Sequence, residues 1–373
     1  MRFLLVSTDY PAFLSSLYSQ NPGLSDASYE KQQQVRAESL FSLADFYSSN
    51  LRKLGHDAWD VDVNNEFIQK AWAREHGLRV DDDDRWRFRL RRGIVPWFSR
   101  VKDPWFYDIL AAQIKHYKPD IVLNHAIDLN SEFFREMKPY IPFLVGSHAS
   151  TLSETPDLGM YDLMLSVVDN FVDYFRQLGV RSERLRFGFQ PGLLDRFGQP
   201  ERSVPVSFVG NLFSCHAERI RWLEHLCQRI AVQVWTGYTN GLAEASPVKD
   251  CVRGAAWGAD MFDVLFKSRI TLNSHVDVAG GYAGNLRLFE ATGSGALLIT
   301  DWKNNLHEMF DTGTEVLAYR TADECLEMVE YYLSHDNERQ AIARTGQRRT
   351  LREHTYYHRM QELVAIIEKS LIN

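Results

Sequence analysis

The sequence predicts an α/β protein built from two doubly wound domains. Short apolar runs alternate with helix-spaced apolar segments along both halves, which is typical of parallel sheets covered by helices. The 373 residues exceed what one ordinary core accommodates and suit two domains. A stretch with glycines and prolines at 188–200 separates the halves and predicts an interdomain linker.

In the first half, apolar runs and helical periodicity define most elements. Strands are predicted at 2–8, 58–63, 120–124, 142–145 and 163–167. Helices are predicted at 29–54, 66–76, 105–117, 131–137 and 170–178. The polar stretch 12–28 contains Pro22-Gly23 and predicts a long loop.

The second half is organised around the stretch 268–301. An apolar run ends at Asn273-Ser274-His275, a glycine loop follows, and a helical pattern starts at Leu286. A second apolar run then ends at Asp301, which completes a strand–loop–helix–strand unit. Further strands are predicted at 205–209, 232–235 and 316–319, and helices at 217–230, 322–334, 337–353 and 357–371.

Composition excludes several classes of protein. With 45% hydrophobic and 24% charged residues the chain is globular, and a net charge of −7 does not favour a nucleic-acid partner. The four cysteines have no C-x-x-C spacing, so we expect reduced thiols in a cytoplasmic protein and no zinc site. No apolar run is long enough to cross a bilayer.

Glycine and polar residues follow the predicted strands of the second half. Because ligands bind at the carboxyl ends of strands in such sheets, we expect a nucleotide site there. Glycines let backbone N–H groups approach phosphate, while an arginine and a glutamate one helical turn apart supply a cation and a ribose acceptor. The candidate residues are Gly210, Asn211, Arg219, Gly237, Tyr238, Asn273, His275, Gly281, Tyr282, Asn285, Arg287 and Glu290. The alternative is that the glycines only form tight turns, that Arg219 is a solvated surface residue and that Glu290 only complements a helix dipole.

Three titratable residues follow strands in the first half and are candidate catalytic groups. Asp9, His148 and, third, His125 could each deprotonate a hydroxyl as a general base. The alternative for each is a turn cap or a hydrogen-bonded structural residue. Asp60 and Asp62 have the spacing of a metal-binding pair but lie inside a strand, so no metal site is expected.

The segment 81–102 combines four aspartates with alternating arginines and aromatic residues. In an extended segment the alternation places Trp86, Phe88 and Leu90 on one face and arginines on the other. Three interpretations remain open: a salt-bridged surface segment, a membrane-surface contact, and a lid over an acceptor site.

Residues 285–291 and 293–301 resemble the core motif of spore-maturation-type glycosyltransferases, which are GT-B enzymes with a group-1-like C-terminal domain. The tail, with Gly313-Thr314-Glu315-Val316 and Arg352-Glu353-His354-Thr355-Tyr356, is similar too. Related retaining enzymes carry two glutamates separated by seven residues, and Tyr282 stands where the first would be. The stereochemistry of the reaction therefore stays open.

The resemblance implies two Rossmann-like domains facing a cleft. Residues 1–195 would bind the acceptor, 201–354 would bind the nucleotide sugar, and the helix at 355–373 would pack back onto the first domain. The implied activity is metal-independent, cofactor-free transfer of a sugar from a nucleotide sugar to a hydroxyl of a glycan, glycolipid or other cell-surface polysaccharide precursor. It would take place in the cytoplasm, and the membrane-contact interpretation of 85–102 would place it at the inner face of the membrane. A sugar-nucleotide epimerase and a non-catalytic nucleotide-sugar or glycan-binding module are the alternatives.

Overall fold

The computed structural model describes residues 1–80, 85–91, 95–101, 104–148, 158–276 and 280–372. The strands are β1 (Arg2–Ser7), β2 (Asp57–Asp62), β3 (Arg85–Arg91), β4 (Val95–Val101), β5 (Ile121–Asn124), β6 (Phe143–Ser147), β7 (Leu163–Ser166), β8 (Ser182–Arg184), β9 (Val204–Val209), β10 (Gln233–Trp235), β11 (Val252–Gly254), β12 (Ser268–Leu272), β13 (Leu297–Asp301) and β14 (Leu317–Tyr319).

Helices follow most of these strands. They are α1 (Pro11–Gln20), α2 (Tyr29–Glu38), α3 (Phe46–Lys53), α4 (Glu66–Glu75), α5 (Pro104–Tyr117), α6 (Ser131–Met137), α7 (Asp169–Gln177), α8 (Gly192–Phe197), α9 (Ala217–Cys227), α10 (Val248–Cys251), α11 (Ala259–Lys267), α12 (Arg287–Gly293), α13 (Ala322–Ser334), α14 (Asp336–Glu353) and α15 (Tyr356–Ile372). In the described part of the chain, none of them is both long and apolar enough to span a bilayer.

Two six-stranded sheets confirm the predicted α/β class. The first has the order β2-β1-β5-β6-β7-β8 and the second the order β11-β10-β9-β12-β13-β14. The pairings β1–β2, β1–β5 and β5–β6 in the first sheet are parallel, as are all five pairings in the second. In both sheets the chain therefore brings strand ends of the same polarity to one edge, where the candidate residues lie.

The chain divides into two compact units. The first contains the described residues of Met1–Ser39, Leu51–His148 and Thr155–Met164, and the second those of Leu40–Asn50 and Leu165–Asn373. The predicted domain limits at 195 and 201, and the packing of 355–373 onto the first domain, stay predictions.

The stretch from residue 11 to residue 54 differs from its prediction. The expected loop at 12–28 contains α1, which begins at Pro11, a residue suited to the first helical position, and buries Phe13 and Leu17. The expected single helix at 29–54 is two helices, because the backbone between them takes positive φ values, among them 58° at Leu40. Leu40 and Phe41 are 7% exposed, so burial of these side chains accompanies the break in the helix.

Several short elements were not predicted. They are β8, α10, β11 and α11, together with α8 inside the expected linker. The elements of three or four residues, β8, α10 and β11, carry too little periodicity to be recognised from sequence, whereas α11 was missed despite its nine residues.

One face of the second sheet holds the helices that border the candidate site. Val206, Leu272 and Ile299 from three strands pack in one cluster with Leu223 of α9 and Val329 of α13. At the end of β14, the ring of Tyr319 stacks on Trp222 of α9 with centroids 5.4 Å apart and planes inclined by 5°. This stacking fixes α9 beside the carboxyl ends of β12, β13 and β14.

Candidate functional site

The predicted nucleotide-binding residues gather around the carboxyl ends of β9 and β12. These strands are neighbours and parallel, with Leu272 level with Phe208. Gly210 and Asn211 therefore follow one strand end, and Asn273 to His275 follow the adjacent one. The structure brings together residues that are more than sixty positions apart in the sequence.

Arg287 and Glu290 form a buried ion pair on the first turn of α12. The Arg287 Nη1 lies 2.8 Å from the Glu290 Oε2, and the two side chains are 12% and 9% exposed. Arg287 Nη2 also donates to the Val209 carbonyl at 3.2 Å, which anchors the guanidinium at the end of β9. Burial raises the pKa of Glu290, and the charge of Arg287 opposes that rise. The predicted cation and carboxylate are thus adjacent and held at a strand end.

Arg219 connects the two strand-end loops. It lies on the first turn of α9, is 8% exposed, and donates to the Asn211 carbonyl at 3.2 Å and to the Ser274 carbonyl at 2.7 Å. The surface interpretation of this arginine is therefore wrong. Its contact with a diphosphate stays a prediction.

The glycine loop before α12 is fixed to its neighbours by amide side chains. Asn273 and Asn285 exchange hydrogen bonds, at 2.7 Å and 3.3 Å, and Asn273 Nδ2 also donates to the Thr300 hydroxyl at 2.9 Å. Asn305 holds Ala283 by bonds to both its N–H and its carbonyl. The described part of this loop is thereby connected to both β12 and the loop after β13.

Gly281 and Tyr282 lie in the same loop. The Gly281 carbonyl accepts from the N–H of Asn304 at 2.8 Å, and a side chain at position 281 would meet Asn304 Nδ2 at 2.7 Å. Tyr282 is partly exposed. Residues 277–279 of the loop lie outside the described residues.

Gly237 and Tyr238 follow β10, next to β9 in the sheet. The indole of Trp257 packs directly against Gly237, where a Cβ would lie 2.7 Å from its ring. The ring centroid of Tyr238 lies 4.6 Å from the ring centroid of Phe213. Trp257 and Phe213 were not predicted, because an isolated aromatic residue in a loop gives no sequence signal for a site.

A pocket of about 630 Å³ lies between α9 and the carboxyl ends of β12, β13 and β14. Its volume falls in the range that ligand sites usually occupy, about 300–1,000 Å³. The lining residues are Glu218, Arg221, Trp222, His225, Ser274, His275, Gly280, Asp301, Lys303, Tyr319, Arg320, Thr321 and Ala322. Of the predicted site residues His275 lines this pocket, whereas Arg287 and Glu290 do not.

Most of the lining residues were missed by the sequence analysis. They come from α9, the β13 end and the β14 end, which are far apart along the chain. Asp301 ends the motif that carries the family resemblance, and this position was the only available signal for it.

His275 and Asp301 form a hydrogen-bonded pair at the wall of the pocket. Their Nδ1 and Oδ1 atoms are 2.7 Å apart, and the side chain of His275 is 1% exposed. Burial acts to raise the pKa of Asp301, but the hydrogen bonds from His275 and the charge of Lys303 bring it down to about 2. Asp301 is therefore ionised at neutral pH and accepts from Nδ1.

The three candidate catalytic residues of the first unit lie at the ends of consecutive strands. Asp9 follows β1, His125 follows β5 and His148 follows β6, in the sheet order β1-β5-β6. Burial lowers the pKa of His125 to about 4, and His148 is 8% exposed. The sheet thus brings the three residues to one edge, while their catalytic role stays a prediction.

Asp9 takes part in a buried charge network. Arg36 donates to its two carboxylate oxygens at 3.1 Å and 2.6 Å, and the Asn64 side chain accepts from its backbone N–H. The Arg36 Nε also lies 3.3 Å from the Asp62 Oδ2. Burial, with the charge of Asp62, raises the pKa of Asp9 to about 6 against the effect of Arg36.

Asp62 faces an arginine in this network. Its side chain is 2% exposed, and three or more His, Cys, Asp or Glu side chains placed to hold a metal ion are not found among the described residues. Metal independence stays a prediction.

The basic-aromatic segment forms an antiparallel hairpin. β3 pairs with β4 so that Arg87 stands opposite Ser99, Phe88 opposite Phe98 and Arg89 opposite Trp97. Asp81 to Asp84 and Lys102 lie outside the described residues. The three interpretations of this segment stay predictions.

Comparison with known families and structures gives a consistent result. Residues 210–365 match the family model described as glycosyl transferase-like. This match covers the second sheet from the end of β9 onward, including both the Arg287–Glu290 pair and the pocket. No curated protein matches the sequence significantly.

The whole chain is similar in fold to solved glycosyltransferases. A glycosyltransferase from Rickettsia africae superposes with a TM-score of 0.57 at 10% identity, covering 100% of this chain and 99% of the other. HepE of Anabaena in complex with UDP-glucose gives 0.56 at 12% identity, covering 99% and 100%. Sucrose-phosphate synthase from Thermosynechococcus elongatus gives 0.56 at 10% identity, covering 100% and 99%.

Proposed function

We propose that this chain, which carries a glycosyl transferase-like domain at residues 210–365 in a GT-B fold, transfers a sugar from a nucleotide donor to an acceptor hydroxyl. The observation that carries the proposal is the buried Arg287–Glu290 pair, because it lies at a strand end inside the region that matches the family model. We also propose that the chain belongs to the spore-maturation-type group of glycosyltransferases.

The donor nucleotide would bind at the ends of β9 and β12. The Glu290 carboxylate can accept hydrogen bonds from ribose hydroxyls, while Arg287 and Arg219 face a diphosphate with charge-assisted donors. A UDP-sugar is the first donor to test, since the structure of Anabaena HepE contains UDP-glucose.

Charge on the leaving diphosphate would be stabilised by arginines and backbone amides. Fixed cations at a site with little water stabilise developing negative charge strongly. Transfer would then need no divalent ion, and we expect activity to persist in excess chelator.

The acceptor would be deprotonated by a residue of the first unit. We favour His148, because Asp9 already accepts two hydrogen bonds from Arg36 and so is partly committed to the fold. The acceptor would be a glycan or lipid-linked hydroxyl in the cytoplasm or at its membrane surface.

Donor binding can be tested with a matched pair of variants. Calorimetry with UDP, UDP-glucose and UDP-N-acetylglucosamine should show binding to the wild type. Glu290→Gln keeps the shape of the side chain but removes its charge, so nucleotide affinity should fall about tenfold, as for a lost hydrogen bond to a charged group. Glu327→Gln, at an exposed position of α13, is the control and should leave the nucleotide affinity unchanged.

Transfer needs a second measurement. With a bound donor, mass spectrometry over a panel of mono- and oligosaccharide and lipid-linked acceptors should show addition of one sugar and release of the nucleotide, with or without chelator. Absence of nucleotide binding to a folded wild type would refute the donor site. Conversion of the donor to an epimer without acceptor would instead contradict transfer.

A further inference from the structure

The pocket beside α9 is lined by groups of both charge signs. Glu218 and Asp301 contribute carboxylates, while Arg221, Lys303 and Arg320 contribute cations. Hydroxyl groups donate to carboxylates and also accept from cations, whereas a phosphate could pair only with the cations. Trp222 and Tyr319 add aromatic surface to the same wall. This combination suits a polyhydroxylated ligand.

His275 is the most deeply buried polar group of the wall. It is 4% exposed, and its Nε2 has no hydrogen-bond partner among the described residues. A buried nitrogen without a partner costs free energy, so a ligand group that pairs with it gains accordingly.

Asp301 determines which hydrogen bond Nε2 can make. The Oδ1 of Asp301 accepts from His275 twice, from Nδ1 at 2.7 Å and from the backbone N–H at 3.1 Å. When the ring carries its proton on Nδ1, it presents a lone pair at Nε2, which needs a donor such as a hydroxyl.

Lys303 and the glycine loop place this pair next to the nucleotide site. The Lys303 Nζ lies 3.2 Å from Asp301 Oδ2 and donates to the Gly280 carbonyl at 2.8 Å. Ser274, adjacent to His275, accepts from Arg219 through its carbonyl. The pocket is therefore contiguous with the loops that would hold the diphosphate.

From this geometry we infer that the pocket holds the sugar of the donor, that His275 Nε2 accepts a hydrogen bond from a sugar hydroxyl, and that Asp301 is the positioning residue that fixes the imidazole. The inference rests on the proposed function and adds the residues that recognise the sugar as distinct from the nucleotide.

The test compares the affinities of UDP and of whichever of UDP-glucose and UDP-N-acetylglucosamine binds more tightly. In His275→Ala the affinity for the UDP-sugar should fall about 3- to 10-fold, the effect of one lost hydrogen bond, while UDP affinity changes less than twofold. His275→Gln places an acceptor oxygen near the Nε2 position and should restore most of the loss. His335→Ala, at an exposed histidine of the same unit, should behave as the wild type.

Nitrogen NMR of the imidazole tests the role of Asp301 directly. The signal of His275, assigned among the 12 histidines by its absence in His275→Gln, should show a proton on Nδ1. In Asp301→Asn the proton should redistribute toward Nε2, and the preference for the sugar nucleotide should fall as in His275→Ala.

Two results would overturn the inference. Equal losses for UDP and UDP-sugar in His275→Ala would make His275 a nucleotide contact, and an unchanged preference would remove it from the site. An unaltered tautomer and preference in Asp301→Asn would overturn the positioning role. If the folded wild type bound no nucleotide at all, the proposed function itself would be refuted, and the inference with it.

Discussion

Two buried carboxylates, Glu290 and Asp9, each pair with an arginine, and they differ in what the pairing holds together. Glu290 pairs with Arg287 within one turn of α12, and in the described part of the chain only the arginine hydrogen-bonds another element, at the Val209 carbonyl. Asp9 pairs with Arg36 of another element, and both oxygens are engaged. Burial raises the pKa of both carboxyl groups. The Arg287–Glu290 pair is therefore compatible with ligand binding, whereas the Asp9–Arg36 pair connects two elements and has a structural role.

His148 is the residue-scale test of catalysis in the first unit. Replacing it by alanine should lower kcat by about 10²–10⁴-fold if it is the general base, because that is the usual contribution of such a group. Donor affinity, measured by calorimetry, should stay within twofold. His116→Ala, at an exposed position of α5, is the matched control. A decrease of less than tenfold in kcat would move the role to His125 or another group.

At the scale of elements, the Asp9–Arg36–Asp62 network joins the end of β1, helix α2 and strand β2. Arg36 is 4% exposed and reaches both carboxylates. Removing one partner of a buried ion pair leaves charge without compensation, which is more costly than losing a surface pair.

Asp9→Asn should therefore destabilise the first unit by about 3 kcal/mol. The control is Asp120→Asn, which breaks the Arg2–Asp120 pair of the same sheet, where both side chains are about 40% exposed. That change should cost less than about 1 kcal/mol, because exposed pairs are screened by water. Urea unfolding gives both free energies of unfolding, and similar losses of stability in the two variants would contradict the structural role of Asp9.

The β3–β4 hairpin carries arginines at alternate positions of β3. Replacing Arg87, Arg89 and Arg91 by serine should leave UDP affinity unchanged. It should weaken acceptor use or binding to anionic liposomes, and the difference from wild type should shrink as salt rises, because salt screens exposed charges. Lys115→Ser, Arg135→Ser and Lys138→Ser remove the same charge from neighbouring parts of the chain and serve as the control. Normal acceptor kinetics and liposome flotation would leave only the surface interpretation.

At the scale of the whole molecule, periodicity predicted the sheets and the exact bounds of two helices. Helices α6 and α13 have the predicted bounds, and in each a polar side chain, Asn130 or Thr321, caps the first turn. The break after α2 could not be predicted, because positive φ at Leu40 runs against local preference and is imposed by tertiary packing.

The residues of the candidate site also divide into those that the sequence could predict and those that it could not. Arg287 and Glu290 could be predicted because one helical turn fixes their spacing. The pocket could not, since Arg221, Asp301 and Arg320 come from elements whose adjacency is decided by the order of strands in the sheet. Sequence spacing carries no information on that order.

The two units contain different sets of buried titratable groups. In the second unit, His354 is 4% exposed, its Nε2 lies 2.9 Å from the Met309 carbonyl and its Nδ1 lies 3.1 Å from an Arg359 nitrogen. Burial lowers its pKa to about 4. In the first unit, burial lowers the pKa of His125 to about 4 but raises that of Asp9 to about 6.

These shifts predict that His354 makes the second unit lose stability in acid, while Glu290, whose pKa burial raises, opposes part of that loss. As pH falls from about 6.5 to about 4, an unfolded histidine takes up a proton that His354 resists, so stability falls by up to about 3 kcal/mol. The same loss at His125 is opposed in the first unit, because folded Asp9 binds its proton near pH 6 and its unfolded form only near pH 4. Hydrogen exchange with mass spectrometry at increasing urea, at pH 6.5 and pH 4.5, gives the stability of each unit. His354→Gln should remove most of the loss in the second unit, because a glutamine amide keeps polar contacts there without titrating. A loss in the second unit that His354→Gln leaves intact would show that other groups control the acid response.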